Sequence, residues 1–306
     1  MLRVENVTKY YGDFKAVDKL NFTVEKGEIF GLLGVNGAGK TTTFRMIMGL
    51  LDPTIGDITL NGKKIDYDVT DDIGFLTEER SLLTKMTIEE QVIYFGVLKG
   101  MKEENIKKRL DKLLNKFYKT DEKFNLENFK KKKIKELSKG NQQKIQFITA
   151  IINKPKLLIL DEPFSGLDPF NIELFKNEIK ELSNNGSMII FSSHRMEHVE
   201  LFCKKLVVLT KGKVVLEGKL KTIKEKYRKK NIFVQGDFDI EAVKEINGVI
   251  SIEDNGLDKI IKIESSEVNS KVFKVISKGK NIVKYSLEEP SLEEIFVSTV
   301  GEAYEK

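Results

Sequence analysis

The strongest chemical signal in this sequence is a short glycine-rich run that ends in a lysine and a threonine. Gly34-Val35-Asn36-Gly37-Ala38-Gly39-Lys40-Thr41 has the spacing G-x-x-x-x-G-K-[ST]. Glycines at these positions let backbone N–H groups close around phosphate oxygens. A helix opening directly afterwards adds the positive end of its dipole. Lys40 supplies a charge for the β- and γ-phosphates, and the Thr41 hydroxyl is suited to ligate Mg²⁺.

A second signal lies about a hundred residues further on. In Lys156-Leu157-Leu158-Ile159-Leu160-Asp161-Glu162-Pro163, an apolar strand runs straight into two acids. Asp161 is suited to hold Mg²⁺ through water, and Glu162 to orient or deprotonate an attacking water. An acid pair after a strand is, taken alone, more often a helix cap. Downstream of a phosphate loop, the catalytic reading is the better one.

These groups need elements to position them. Glu28–Leu33 reads as a buried strand feeding the glycine loop, with Phe44, Ile47, Met48 and Leu51 at helical spacing beyond it. Leu2–Val4 and Asn21–Val24 read as antiparallel strands, and Thr87 to Lys135 as helical, opening on the capping box Thr87-Ile88-Glu89-Glu90. Lys156–Leu160 and Ser187–Ser192 read as buried strands around a proline-led helix, and Lys205–Gly218 as a hairpin turning at Lys211-Gly212. After Gly218 the character changes. A cationic connector, Lys219–Asn231, precedes a β-α-β-β-α-β order, closed by a helix capped at Ser291-Leu292-Glu293-Glu294. Its expected core is Ile232, Val234, Val243, Ile246, Ile250, Ile260, Ile263, Val272, Ile276 and Val283. The expected division is residues 1–225 and 226–306.

Composition sets the outer limits. At 306 residues, 40% hydrophobic and 32% charged, the chain is long enough for one large domain and one small one. The single cysteine, Cys203, has no internal disulfide partner and fits a reducing compartment. No apolar run approaches the ~18 residues of a membrane helix, and Met1-Leu2-Arg3-Val4-Glu5 reads as no secretion signal. A net charge of +5 permits anionic partners and demands none.

Leu137-Ser138-Lys139-Gly140-Asn141-Gln142-Gln143 resembles the LSGGQ signature of ABC ATPases, with Lys139 in place of the first glycine of that motif. The surrounding order is similar to that family over about residues 1–220. Tyr10-Tyr11-Gly12 looks like its adenine-stacking loop, with Tyr11 the stacking residue. Ser165-Gly166-Leu167-Asp168-Pro169 looks like its D-loop, and Phe191-Ser192-Ser193-His194 like its switch histidine. The resemblance implies ATP and Mg²⁺ as ligands. Gly34, Asn36, Gly37, Ala38, Gly39, Lys40, Thr41 and Thr42 would hold the phosphates, and Ser138 and Gly140 would close over the γ-phosphate of a second subunit. Asp168 would lie at the subunit interface, His194 would contact the γ-phosphate, and Thr41, Asp161 and Glu78 would face the metal. Glu78 stands where the family usually has Gln.

Two signals are set aside. His194-Arg195-Met196-Glu197-His198 matches an inverted zinc-peptidase pattern, but His194 ends a strand among ATPase motifs, and His198 reads as a solvated or capping residue. Lys130–Lys133 reads as a solvated turn, since no aromatic residues interleave to stack on bases; no nucleic-acid partner is expected. The resulting expectation is an α/β fold: a P-loop core with an antiparallel β-subdomain and a helical subdomain, then a small ferredoxin-like α+β domain. It would be the ATPase of a transporter, most simply an exporter, in the cytoplasm at the inner face of the membrane. There it would form a homodimer or pair with a similar ATPase beneath a separate transmembrane permease. The competing readings are a soluble ABC ATPase acting on ribosomes or DNA, and an ATP sensor.

Overall fold

Residues 1–306 are described by a computed structural model, apart from 78–81, 120, 121, 123, 228, 257 and 306 and the side chains of 67, 68 and 302–305. The chain divides into two units, Met1–Glu217 and Gly218–Lys306. The division precedes the expected boundary at 225, so the cationic connector belongs with the second unit.

In the first unit, β1 (Leu2–Tyr11) and β2 (Phe14–Val24) pair antiparallel from Leu2 opposite Val24 to Tyr11 opposite Phe14. Next come β3 (Ile29–Gly34), α1 (Lys40–Ile47), β4 (Ile55–Leu60), β5 (Lys63–Lys64) and β6 (Ile73–Leu76). The helical stretch follows: α2 (Ile88–Leu98), α3 (Glu103–Tyr118), α4 (Leu126–Lys130) and α5 (Lys139–Ile151). The remainder is β7 (Leu157–Asp161), α6 (Pro169–Asn184), β8 (Met188–Ser192), α7 (Met196–Phe202), β9 (Lys205–Thr210) and β10 (Lys213–Lys219). One sheet has the order β2-β1-β4-β5 and the other β10-β9-β3-β8-β7-β6. β3 is buried along its whole length because it pairs parallel with both β8 and β9 and is covered on both faces, which demands an unbroken apolar run. Since β3, β8 and β7 are neighbours, the chain segments leaving their carboxyl ends emerge side by side. That edge is where open α/β sheets take ligands.

The expected capping box opens α2, with the Thr87 hydroxyl on the Glu90 N–H and the Glu90 carboxylate on the Thr87 N–H. The rings of Phe117, Phe147 and Phe175 lock α3, α5 and α6 together at 4.5–6.0 Å between centroids. The lysine run departs from expectation at its first member. Lys131 to Lys133 are exposed, but Lys130 is buried. Three helices each present it an acid: Asp111 from α3 and Glu127 from α4 at 3.0 Å, and Glu89 from α2 at 3.7 Å. Lys130→Met should therefore lower stability by about 1–2 kcal/mol, because it strips the shared donor from these carboxylates. A thermal midpoint equal to that of the parent protein would show that the cluster contributes nothing.

The second unit runs α8 (Leu220–Lys226), β11 (Lys230–Asp237), α9 (Ile240–Lys244), β12 (Val249–Asp254), β13 (Lys259–Ile263), α10 (Asn269–Ile276), β14 (Lys280–Glu288) and α11 (Leu292–Glu305). Its sheet has the order β12-β13-β11-β14, all antiparallel. That is the ferredoxin-like arrangement expected from the β-α-β-β-α-β order. The core holds Ile232, Val234, Val243, Ile261, Ile263, Val268, Val272 and Ile276. Of the expected members, Ile246 packs against this core only partly buried, and three fall outside it: Ile260, Ile250 (46% exposed) and Val283 (77% exposed). Side chains on a strand alternate, so once Ile261 and Ile263 face inward, Ile260 faces the other way. α11 is tied to its own sheet, where the Asn231 amide donates to the Glu294 carboxylate at 2.9 Å.

Candidate functional site

The phosphate loop takes its shape from positive-φ backbone conformations that favour glycine. Gly34 stands at φ +154, and a Cβ there would lie 2.5 Å from the Leu209 carbonyl oxygen. Gly37 (φ +77) turns the exposed tip beside Asn36, and Gly39 caps α1 at φ +105. Ala38 is buried, its N–H bonded to the Val35 carbonyl at 3.1 Å. The Lys40 ammonium lies across the loop, donating to the carbonyls of Gly34 (2.5 Å) and Val35 (3.3 Å). Thr41 is exposed and Thr42 half-buried on the first turn of α1, which carries no acidic residue to offset its N-terminal N–H groups. An anion is the natural complement of that end.

The acids arrive from β7, the strand two places away. Asp161 ends the strand, in register with Ser192 of β8. Glu162 adopts the left-handed conformation, φ +50, with its N–H on the Ser192 carbonyl at 3.0 Å. Its side chain is only 14% exposed. The carboxylate accepts from the Ser193 hydroxyl at 3.2 Å and from the backbone N–H of His194, whose ring Nε2 lies 3.9 Å away. Burial pushes the Glu162 carboxyl above the usual carboxylate range, while His194 and the two hydrogen bonds pull the other way. A buried carboxylate with its proton affinity raised, beside a phosphate loop, has the character of a general base.

The remaining candidates sit nearby on other elements. Tyr11 is 45% exposed at the end of β1, directly across the hairpin from Phe14 and with the Lys9 ammonium 5.7 Å from its ring. This hairpin reaches the phosphate loop, where the Ala16 carbonyl lies against Gly39. Ser138 caps α5, its hydroxyl accepting from the Asn141 N–H at 3.3 Å. Gly140 faces the Gly166 carbonyl. Asp168 caps α6, and the Asn171 backbone N–H at 2.8 Å holds its carboxyl below the usual range. Glu78 lies outside the described residues.

Two findings go beyond the motifs. Ser193 bonds Glu162 through its hydroxyl and also accepts the Arg195 N–H at 3.2 Å, a bridging role that a serine before a histidine does not announce. His198, expected to be solvated or capping, is instead buried edge-on against the Phe164 ring at 4.8 Å, and burial lowers its pKa. Packing of α7 on the aromatic cluster of Phe164, Phe191 and Phe202 turns that side chain inward.

Residues 17–165 match the family model described as ABC transporter, and residues 218–300 the one described as ATP-binding protein DrrA1-3-like, C-terminal domain. The chain is 47% identical over 305 residues to YhaQ of Bacillus subtilis, an uncharacterized ABC transporter ATP-binding protein, with 100% of both chains covered. It is 30% identical over 313 residues to the linearmycin resistance ATP-binding protein LnrL of the same organism, covering 98% of each. To the Nod factor export ATP-binding protein I of Cupriavidus metallidurans it is 36% identical over 222 residues, 72% of this chain and 71% of that one. Among solved structures, an ATP-binding subunit of an ABC transporter superposes with a TM-score of 0.68 at 31% identity, covering 74% of this chain and 93% of that chain. A dimeric cassette in a post-hydrolysis state with ADP and Pi gives 0.63 at 28%, covering 72% and 99%.

This chain belongs to the ATP-binding proteins of ABC transporters. It binds ATP and hydrolyses it, on a P-loop core with a small α+β unit appended. The reading as a ribosome- or DNA-acting ATPase has no counterpart among these relatives.

Proposed function

We propose that this protein drives export, as one of two ATPase subunits that meet head to tail beneath a separate membrane-spanning partner. The supporting observation is full-length likeness, second unit included, to a protein named for linearmycin resistance. Among the described residues no helix is long and apolar enough to cross a membrane, so the membrane path belongs to the partner. The working place is then the cytoplasmic face of that membrane.

In this reading residues 34–42 cradle the phosphates and Tyr11 stacks on adenine. Lys40 neutralises the β- and γ-phosphates. Thr41 and Asp161, with Glu78, hold Mg²⁺, which supplies charge neutralisation of the phosphate oxygens. Glu162 takes the proton of the attacking water, and His194 contacts the γ-phosphate. A single chain has half of each site, and Ser138 and Gly140 of a second copy complete it, with Asp168 at the junction. ATP closes the pair and hydrolysis releases it.

The second unit carries none of these groups and has its own core, which fits a role in assembly or regulation. Truncation after Lys219 keeps β10 whole and removes that unit. The truncated protein should bind ATP with unchanged affinity but co-purify poorly with its membrane-spanning partner. Retention of full assembly and transport would remove the second unit from the mechanism, and loss of ATP binding would show that it braces the core.

A further inference from the structure

We propose that Gln143 is a positioning residue for hydrolysis: from the start of α5 it fixes the backbone on which Glu162 stands, and so ties the base to the helix that Ser138 caps. The proposal rests on the reading of Glu162 as the base. Gln143 is 2% exposed, and its Nε2 donates to the carbonyl of Pro163 at 3.1 Å. Pro163 directly follows Glu162 and has no N–H, so its carbonyl is its one backbone handle. Glu162 itself is held at φ +50, a conformation that a non-glycine residue keeps only when its surroundings impose it. On one side the restraint comes from the Ser192 carbonyl at 3.0 Å, and within the turn the Glu162 carbonyl accepts from Ser165 at 3.1 Å. Gln143 supplies the restraint from α5.

The same helix face meets the rest of this segment. A Cβ on Gly140 would lie 3.5 Å from the Gly166 carbonyl oxygen, a close but ordinary contact. The charge of Lys144 favours the ionised form of Asp168. Residues 140–144 and 162–168 therefore form one packed face, with the 143–163 hydrogen bond nearest the base. A displacement of α5 is passed to the Pro163 carbonyl and turns the main chain that aims the Glu162 carboxylate. Because α5 is also the helix offered to the other subunit's nucleotide, the bond links the filling of one site to the alignment of the base in the other. Within one chain the groups that hold ATP are residues 34–42 and Tyr11, none of them on α5, so loss of Gln143 should act on turnover and not on the binding of ATP by the single subunit.

The test uses the full chain with Gln143→Leu, which keeps the volume and removes the donor, and Gln143→Glu. Buried carboxyl groups hold their proton to higher pH, and the introduced carboxyl, once protonated, would again donate to the Pro163 carbonyl. Gln143→Leu should lower kcat by on the order of 10-fold or more while the ATP Kd stays within about twofold. For Gln143→Glu, kcat relative to the parent protein should recover as pH falls, whereas the Leu variant shows no recovery. The pH signature ties the loss to the 143–163 bond, and a purely structural role would move ATP affinity and thermal midpoint together with kcat. A Gln143→Leu kcat within about twofold of the parent overturns the proposal, as do parallel losses of kcat, ATP affinity and thermal midpoint in both variants. Glu162→Gln is assayed alongside. If that variant turns over normally, the assignment of the base is what fails, and the proposal falls with it.

Discussion

Replacing Glu162 with Gln should leave ATP binding intact and lower turnover by on the order of 10²-fold or more. The amide preserves the shape of the side chain and one acceptor oxygen for the His194 N–H, giving up the bond from the Ser193 hydroxyl, so the backbone anchor of the loop is kept. What disappears is the group able to take a proton from water. ATP-bound protein should then accumulate as a dimer, visible by size-exclusion chromatography with ATP and absent with ADP. The raised proton affinity of Glu162 adds two further expectations. Turnover of the parent protein should fall with decreasing pH through a limb lying above the ordinary carboxylate range, because the base must be ionised to act. Stability moves in the opposite sense. A carboxyl that holds its proton more tightly when folded than when unfolded favours the fold at low pH, and that contribution is lost as pH rises through the folded-state value. Glu162→Gln should therefore have a thermal midpoint at neutral pH no lower than the parent's. Near-normal steady-state hydrolysis by this variant would remove Glu162 from the chemistry.

Gly39→Ala should abolish measurable ATP binding and destabilise the first unit, whereas Gly37→Ala should be tolerated far better by the fold. Both positions have positive φ, +105 and +77, which alone costs an alanine about 1–2 kcal/mol. The difference lies in the surroundings. A Cβ at Gly39 would sit 2.6 Å from the Ala16 carbonyl oxygen, a backbone atom of β2 that cannot swing aside, while at Gly37 nothing lies within 4 Å. Relieving the clash at Gly39 must push the hairpin away or shift the first turn of α1, and that turn carries Lys40, Thr41 and Thr42. The loss in ATP affinity should be at least about 10²-fold, since a displaced loop loses several phosphate contacts together. Equilibrium nucleotide binding and thermal unfolding of the two variants decide the matter. Equal behaviour would mean that the hairpin does not constrain the loop.

The phosphate loop, the acid pair and the order of elements were legible in the sequence because each is a local pattern. Glycines at fixed offsets before a Lys-Thr pair, an apolar run ending in two acids, and alternating or helical periodicities all act over a few residues. The capping boxes at Thr87 and Ser291 are legible for the same reason, since both partners lie within one helical turn. The tertiary structure decided what depends on residues far apart in the chain. Lys130 is buried because α2, α3 and α4 converge on it, and a run of four lysines gives no sign of that. His198 turns inward because an aromatic cluster from three segments leaves room for an edge-on ring. Ile261 replaces Ile260 in the core because the pairing register of β13, and not its composition, chooses the inward face. At the site, the sequence by itself determined which groups could do the chemistry. The packing of β7 beside β8 and of α5 against residues 162–168 decided how Glu162 is buried, strained and held, because desolvation and backbone restraint arise only from neighbours that the fold brings together.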